Sequence, residues 1–330
     1  MFGAAEPNAP LRPKARRFSE PLKFLPVFFM CGTILFMYLV YMFQHCVPRL
    51  QIGVDPEHVD RGVRSAANTE IIAFNVLTAM LVICYLRAMF TSPGGIPEDD
   101  KNWQYNEVMS FIPGFLLEAK KSGNRRHCKW CRMYKPDRCH HCRVCQTCVL
   151  KMDHHCPWIY NCVGYFNYKF FFLVLFYSTL DLILIAKTMA QTVQKVIELE
   201  TPFLTMFLIM FAETIAMFLG MLVGMFFIFH IWLMFNAMTT IEFCEKNLPK
   251  KGAESSQDES LYSLGAWGNI TATLGSNPLL WLLPLGGPDG DGLQYSVNRE
   301  RSDNLDATKK MQRSGARPET NLGCDEYDAS

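Results

Sequence analysis

Net charge is nearly absent from this chain: 32 Lys and Arg against 31 Asp and Glu leave a formal +1 at pH 7. The overall balance selects no partner, so only the placement of charge carries information. Leu25 to Val47 has no formal charge at all, and Phe203 to Phe235 holds a single acid, Glu213. The N-terminal region lacks the short apolar stretch and small-residue cleavage site of a secretory signal, so its apolar run is expected to stay in the protein. Position 2 is Phe rather than Gly, which excludes N-myristoylation, and Cys324 stands too far from the last residue for prenylation. The 13 cysteines also lack the scattered spacing of a secreted disulfide framework. Their tight pairs point to metal ligands on a reducing, cytosolic face.

What the chain has instead is apolar residues, half of the total, gathered in long runs as in bilayer-spanning helices. At ~1.5 Å per residue, about 20 residues cross the ~30 Å hydrocarbon core. The expected fold is an α-helical polytopic membrane protein: four transmembrane helices, with a cytosolic cysteine-rich two-zinc domain between spans two and three. A basic N-terminal segment (1–24) precedes span one (25–47), a luminal loop (48–70) and span two (71–90), whose Arg87 is placed to snorkel at its exit. A cytosolic loop (91–169) carries the Cys/His domain, about 126–171, and leads to span three (170–190). The run Phe203 to Phe235 is too long for one upright span and too short for two. A luminal loop with an interfacial turn (191–213) and then span four (214–235) is the expected solution, with Gly220 and Gly224 as a G-x3-G face. A cytosolic segment (236–285) and a disordered tail (286–330) follow. Basic residues in the N-terminal segment, in the central loop and at Lys246, Lys250 and Lys251 put both termini and the Cys/His domain in the cytosol.

Eight of the cysteines and five of the eight histidines fall between His127 and Cys162. Thiolate and imidazole at C-x2-C spacing suit tetrahedral Zn²⁺. Two such sites need eight ligands, and Cys128, Cys131, His141, Cys142, Cys145, Cys148, His155 and Cys162 supply them. One arrangement puts Cys128, Cys131, His141 and Cys148 in the first site and Cys142, Cys145, His155 and Cys162 in the second. Spacing supports the inventory more firmly than this partition. Three thiolates and one imidazole leave no open position, so the metals are expected to be structural.

That count leaves Cys139, His140, Asp153, His154 and Cys156 over. Cys139 and His140 read as bystanders to the metals. Asp153, His154 and Cys156 do not, because a thiol nucleophile needs a neighbouring imidazole for its proton, and a carboxylate can orient that imidazole and stabilise its cation. If zinc holds His155, the backbone there is pinned and His154 must point elsewhere. Pro157 restricts Cys156 further.

This run, Asp153-His154-His155-Cys156, with the cysteine-rich pattern around it, resembles the DHHC family of protein S-acyltransferases (palmitoyltransferases). Thr239-Thr240-Ile241-Glu242 resembles the family's TTxE motif. Tyr262 to Pro284 resembles its C-terminal aromatic/Asn motif, with Gly265, Asn269 and Trp281. The resemblance covers roughly residues 25–295. It implies that Cys156 takes a long-chain acyl group, usually palmitoyl, from acyl-CoA and passes it to cysteines of membrane-associated proteins. His154 would act as base, Asp153 as its orienting partner, and His155 as a zinc ligand. The CoA phosphates call for basic contacts, for which Arg126, Lys135 and Arg138 are the candidates, with His140 behind them. Tyr160 departs from the family, which commonly has Asn or another small polar residue there. The expected home is an endomembrane, Golgi or ER ahead of the plasma membrane.

Asp181, near mid-span, would either line the floor of an acyl cavity or make a polar contact to another helix. The sequon Asn269-Ile270-Thr271 should stay unmodified on the cytosolic side. The competing function is a membrane-anchored zinc scaffold or adaptor with an inert Cys156. Nucleic-acid binding is excluded by four spans and the lack of recognition-helix spacing.

Overall fold

The computed structural model describes residues 21–106, 116–119, 124–247 and 260–297. The basic residues before 21, Lys250, Lys251 and everything beyond 297 lie outside the described residues. Among the described residues, four helices are long and apolar enough to cross a membrane: α1 (Leu25–Arg49), α2 (Arg61–Phe90), α3 (Tyr168–Glu198) and α4 (Phe203–Phe235). Pro26 opens α1, where its missing N–H has no intrahelical partner to lose. Asp60 caps α2, its carboxylate accepting from Gly62 N at 2.8 Å and Val63 N at 3.1 Å. Within α1 a π-helical stretch, Tyr41–Cys46, turns Tyr41, His45 and Cys46 inward together.

The helices outrun the apolar runs that announced them. α2 begins inside the segment expected as the 48–70 loop, and α3 continues to Glu198 through Gln191, Thr192, Gln194 and Lys195. The interfacial turn expected over 191–213 is replaced by a short link, Leu199 to Pro202, and α4 is one unbroken helix of 33 residues. No Pro interrupts it, and backbone hydrogen bonding does not stop where side chains turn polar. Glu213 therefore sits buried, ten residues into α4, rather than at a helix end.

α3 is the central helix, packed between α2 and α4. Gly220 and Gly224 both face it: a methyl group at Gly220 would lie 3.5 Å from Leu182 Cβ, and one at Gly224 3.7 Å from Thr179 Cγ2. Asp181 makes a polar contact to another helix, accepting from Thr78 Oγ1 of α2 at 2.9 Å. Large apolar side chains are exposed along all four helices, such as Phe28 and Leu35 on α1, Ile72 on α2, Ile183 on α3, and Met217 and Ile228 on α4.

The Cys/His domain is bolted to the ends of these helices by side-chain amides. Asn161 Nδ2 donates to the carbonyls of Ala88 (3.3 Å), Met89 (3.1 Å) and Thr91 (2.9 Å), which are left unpaired where α2 ends. Asn167 adds a bond to Ala88 O at 3.2 Å. Asn269, on the helix α6 (Gly265–Leu274) that follows α5, does the same for α4 through Phe235 O at 2.7 Å, and its own oxygen accepts from Leu264 N at 2.8 Å. This amide is buried and bonded at both ends. Gly164 is required where domain and helix meet, because a Cβ would come within 2.7 Å of Pro93 O and Val149 Cγ1.

Between α4 and α6 lies the short helix α5 (Thr240–Asn247). Thr239 and Glu242 form a capping box: Glu242 N donates to Thr239 Oγ1 at 3.2 Å, and Thr239 N to Glu242 Oε2 at 2.9 Å. Arg138 then grips the same carboxylate, Nε to Oε1 at 2.7 Å and Nη2 to Oε2 at 2.8 Å, and donates to Ala237 O at 2.9 Å. Its guanidinium, 3% exposed, is flanked by the rings of Tyr262 and Tyr295, 4.5 and 5.4 Å from their centroids. Tyr295 belongs to the stretch expected as disordered tail. Residues 286–297 are instead packed on the domain, where the Tyr165 hydroxyl donates to Asp289 O at 2.5 Å.

Breaking a buried pair leaves a charge without its partner, at a cost of about 3–5 kcal/mol. Arg138→Lys, which cannot grip bidentately, and Glu242→Gln are both expected to lower the thermal unfolding midpoint of detergent-purified protein. An unchanged midpoint in both variants would contradict a structural role for the pair.

Candidate active site and metal centres

Three two-stranded antiparallel hairpins make up the Cys/His domain: β1 (His127–Cys128) with β2 (Met133–Tyr134), β3 (His140–Cys142) with β4 (Thr147–Val149), and β5 (His154–Cys156) with β6 (Asn161–Val163). In each C-x2-C pair the second cysteine's N–H donates to the first Sγ, Cys131 to Cys128 at 3.4 Å and Cys145 to Cys142 at 3.3 Å. The next residue, Arg132 or Gln146, turns left-handed with φ of 53° and 56°. The later ligands come from cross-strand pairs, His141 opposite Cys148 and His155 opposite Cys162.

The domain gathers two groups able to hold a metal ion: Cys128, Cys131, His141 and Cys148, and Cys142, Cys145, His155 and Cys162. This is the interleaved partition that spacing left open. In the first group, His141 Nδ1 lies 3.5, 3.3 and 3.9 Å from the sulfurs of Cys128, Cys131 and Cys148. In the second, His155 Nδ1 lies 3.4 Å from Cys145 Sγ and 3.5 Å from Cys162 Sγ. A tetrahedral ion with ~2.3 Å bonds to sulfur and ~2.0 Å to nitrogen needs such an S···N edge to be about 3.5 Å. Neither group includes Cys139 or Cys156.

Side chains alternate faces along a strand. His155 therefore turns toward its three cysteines while His154 turns to Asp153, with Nδ1 to Oδ2 at 2.7 Å. Asp153 is fully buried and held on both oxygens, since Thr240 N donates to Oδ1 at 2.9 Å and Thr240 Oγ1 to Oδ2 at 2.8 Å. Burial alone would raise the Asp153 pKa; the His154 bond and charge and the Thr240 N–H bring it below the usual carboxylate range. Burial likewise opposes protonation of His154, but the Asp153 hydrogen bond and the adjacent Cys156 thiol outweigh it, raising its pKa to about 9. The set favours an imidazolium standing over the sulfur.

Cys156 is itself buried, in an apolar cluster with Tyr85, Ile159, Phe171, Phe172, Met234 and Leu274. Pro157 keeps it extended, at φ −108° and ψ 107°. The turn that follows ends at Tyr160, left-handed at φ 49°, a conformation suited to Asn or Gly. Tyr160 instead stacks on Phe24, with centroids 4.3 Å apart.

The expected CoA contacts divide. Arg138 is corrected: its guanidinium is spent on Glu242 and Ala237, a pairing 104 residues apart that no local spacing reveals. Arg126 pairs with Glu118 and donates to Pro136 O at 2.9 Å. His140 is no cationic contact, because burial and then the charges of Arg126 and Lys135 lower its pKa to about 4. Lys135, half-buried, keeps an ammonium without an ion pair among the described residues. The residue-by-residue reading gave no role to Thr240, Tyr168 or His230. The last could have been singled out as the one imidazole in an otherwise apolar run.

The DHHC palmitoyltransferase family profile matches residues 121–247. Among curated proteins, palmitoyltransferase ZDHHC20-B of Danio rerio is 30% identical over 314 residues, covering 89% of this chain and 89% of the relative. Palmitoyltransferase ZDHHC20 of Bos taurus is 31% identical over 89% of this chain and 82% of the relative. Palmitoyltransferase ZDHHC2 of Rattus norvegicus is 33% identical over 85% and 77%. With its Asp-His-His-Cys run flanked by two sets of side chains able to hold a metal ion, and with relatives at least 30% identical over 89% of its length, the chain belongs to the DHHC palmitoyltransferase family.

Proposed function

We propose that this protein moves a long-chain acyl group, palmitoyl above all, from acyl-CoA to cysteines of membrane-associated proteins, through a thioester on Cys156. The observation that carries this reading is the Asp153–His154 pair at 2.7 Å with the buried thiol of Cys156 two residues on. The Cys156 sulfur attacks the acyl-CoA carbonyl, and the CoA thiolate departs with the proton that His154 holds. An incoming protein thiol then gives its proton to His154 and displaces Cys156, which closes the cycle. Asp153 holds the imidazole in one tautomer and supports its cation.

The apolar cluster around Cys156 supports a hydrocarbon chain as the cargo, since each buried CH₂ contributes ~0.8 kcal/mol. Lys135 is the basic group best disposed to meet CoA phosphates, whereas Arg126 would have to give up Glu118 to do so. Zn²⁺ is the ion these thiolate-rich, four-ligand groups suit, and its part is to pin the hairpins that carry Asp153, His154 and Cys156. The basic N-terminal segment and central loop support a cytosolic domain on a Golgi or ER membrane.

Purified protein incubated with alkyne-tagged palmitoyl-CoA should acquire a hydroxylamine-labile label that Cys156→Ser abolishes. Equal labelling of both proteins, or of neither, would remove Cys156 from the reaction. Metal analysis separates the two roles of cysteine here. Cys156→Ser should retain about two zinc ions per chain, whereas Cys142→Ser should lose at least one together with its thermal transition. A metal loss in Cys156→Ser would make that residue a ligand.

A further inference from the structure

The two-step reaction proposed above assigns no part to a second imidazole beside His154. His230, near the end of α4, is 0% exposed. Its Nδ1 lies 3.0 Å from the Tyr168 hydroxyl, while its Nε2 is buried without a hydrogen-bond partner among the described residues. Ring centroids put it 6.3 Å from His154 and 5.2 Å from Phe171, which is itself 5.1 Å from His154. An unmet polar atom in an apolar interior keeps its desolvation penalty, which a partner arriving with the substrate would relieve.

The proton on this ring can be assigned by counting unmet groups. The Tyr168 hydroxyl has no other hydrogen-bond partner among the described residues. Were the imidazole proton on Nδ1, both the phenol O–H and Nε2 would be unmet. With the phenol donating to Nδ1, only Nε2–H is unmet. His230 thus presents a fixed N–H donor on a ring whose centroid lies 6.3 Å from that of His154. No carboxylate competes for it, because both oxygens of Asp153 are taken by His154 and Thr240.

From this we infer that His230 Nε2–H receives the oxyanion formed during acyl transfer. The inference rests on Cys156 being the nucleophile. As the sulfur bonds to the carbonyl carbon, the C=O π electrons move onto oxygen, and that oxygen accepts a hydrogen bond from His230 without taking its proton. When the C=O re-forms, the C–S bond to CoA breaks, and the leaving thiolate takes its proton from His154. The two imidazoles are therefore divided in task, one transferring a proton and the other only donating a hydrogen bond. Phe171, in contact with both rings, is the wall against which the first carbons of the chain would bring the carbonyl between them. Tyr168 acts through His230 as a positioning residue.

The test is the first acylation turnover of full-length protein in nanodiscs, followed by rapid quench over a range of palmitoyl-CoA concentrations. Loss of one oxyanion donor lowers the chemical step by about 10²–10³-fold. His230→Leu should show such a fall in maximal rate, with half-saturation changed less than about threefold and zinc content unchanged. His230→Gln keeps an N–H and should recover a substantial part of the rate. Tyr168→Phe should slow the step by a smaller factor, since it unlocks the tautomer but leaves the ring. A wild-type maximal rate in His230→Leu, or a defect in half-saturation alone, overturns the proposal. If His230→Leu loses its zinc, unchanged rates in both His230→Gln and Tyr168→Phe overturn it. An unlabelled wild type, or a label that survives Cys156→Ser, fails the underlying reading instead.

Discussion

The site depends on a constraint no larger than the pleat of one strand. Neighbouring residues of β5 must face opposite ways, so pinning His155 among three cysteines commits His154 to the other face. There it meets a carboxylate already held by the backbone and hydroxyl of Thr240. On the proposed reading, metal ligation and proton chemistry share a backbone without sharing a side chain. A one-residue slip of β5 against β6 would exchange the two histidines and ruin both functions together. The cross-strand pairing of His155 with Cys162 guards against it.

A second layer of polar contacts carries this geometry into the membrane helices. Thr239 and Thr240 stand side by side, one capping α5 and the other holding Asp153, so the position of the carboxylate follows the end of α4. Asn161 and Asn167 tie the β6 side of the domain to α2 and α3. The bonds to Ala88, Met89 and Thr91 satisfy carbonyls that the end of α2 would otherwise leave bare. Their joint effect is to hold the Cys156 thiol at the level where the helices begin. An acyl thioester has its polar end and its apolar chain on opposite sides of that level.

The sequence made some of this legible and hid the rest for identifiable reasons. The eight candidate metal ligands could be counted because tight knuckles and hairpins keep them close in sequence. Cys156 and His154 stood out as what the count did not use. Arg138 misled because a cation in a basic loop looks solvated until its partner, Glu242, is seen folding back from beyond the last long helix. Helix ends were misplaced because hydropathy marks where a helix is greasy, while its hydrogen bonds run on through Gln191 to Glu198. His230 stayed hidden because a lone polar residue in an apolar run declares its neighbours only in three dimensions.

Tyr295 gives the folded unit an endpoint that composition does not suggest. Its ring is one face of the sleeve around the Arg138 guanidinium, and Tyr262 is the other. Shortening the protein to the last residue of α6 or to Pro284 would therefore not trim a loose appendage. It would open a nearly dry arginine to water and loosen its hold on Glu242, the residue that sets where α5 starts. The smallest piece with a stable catalytic face thus extends at least through position 295, well past the last recognisable motif.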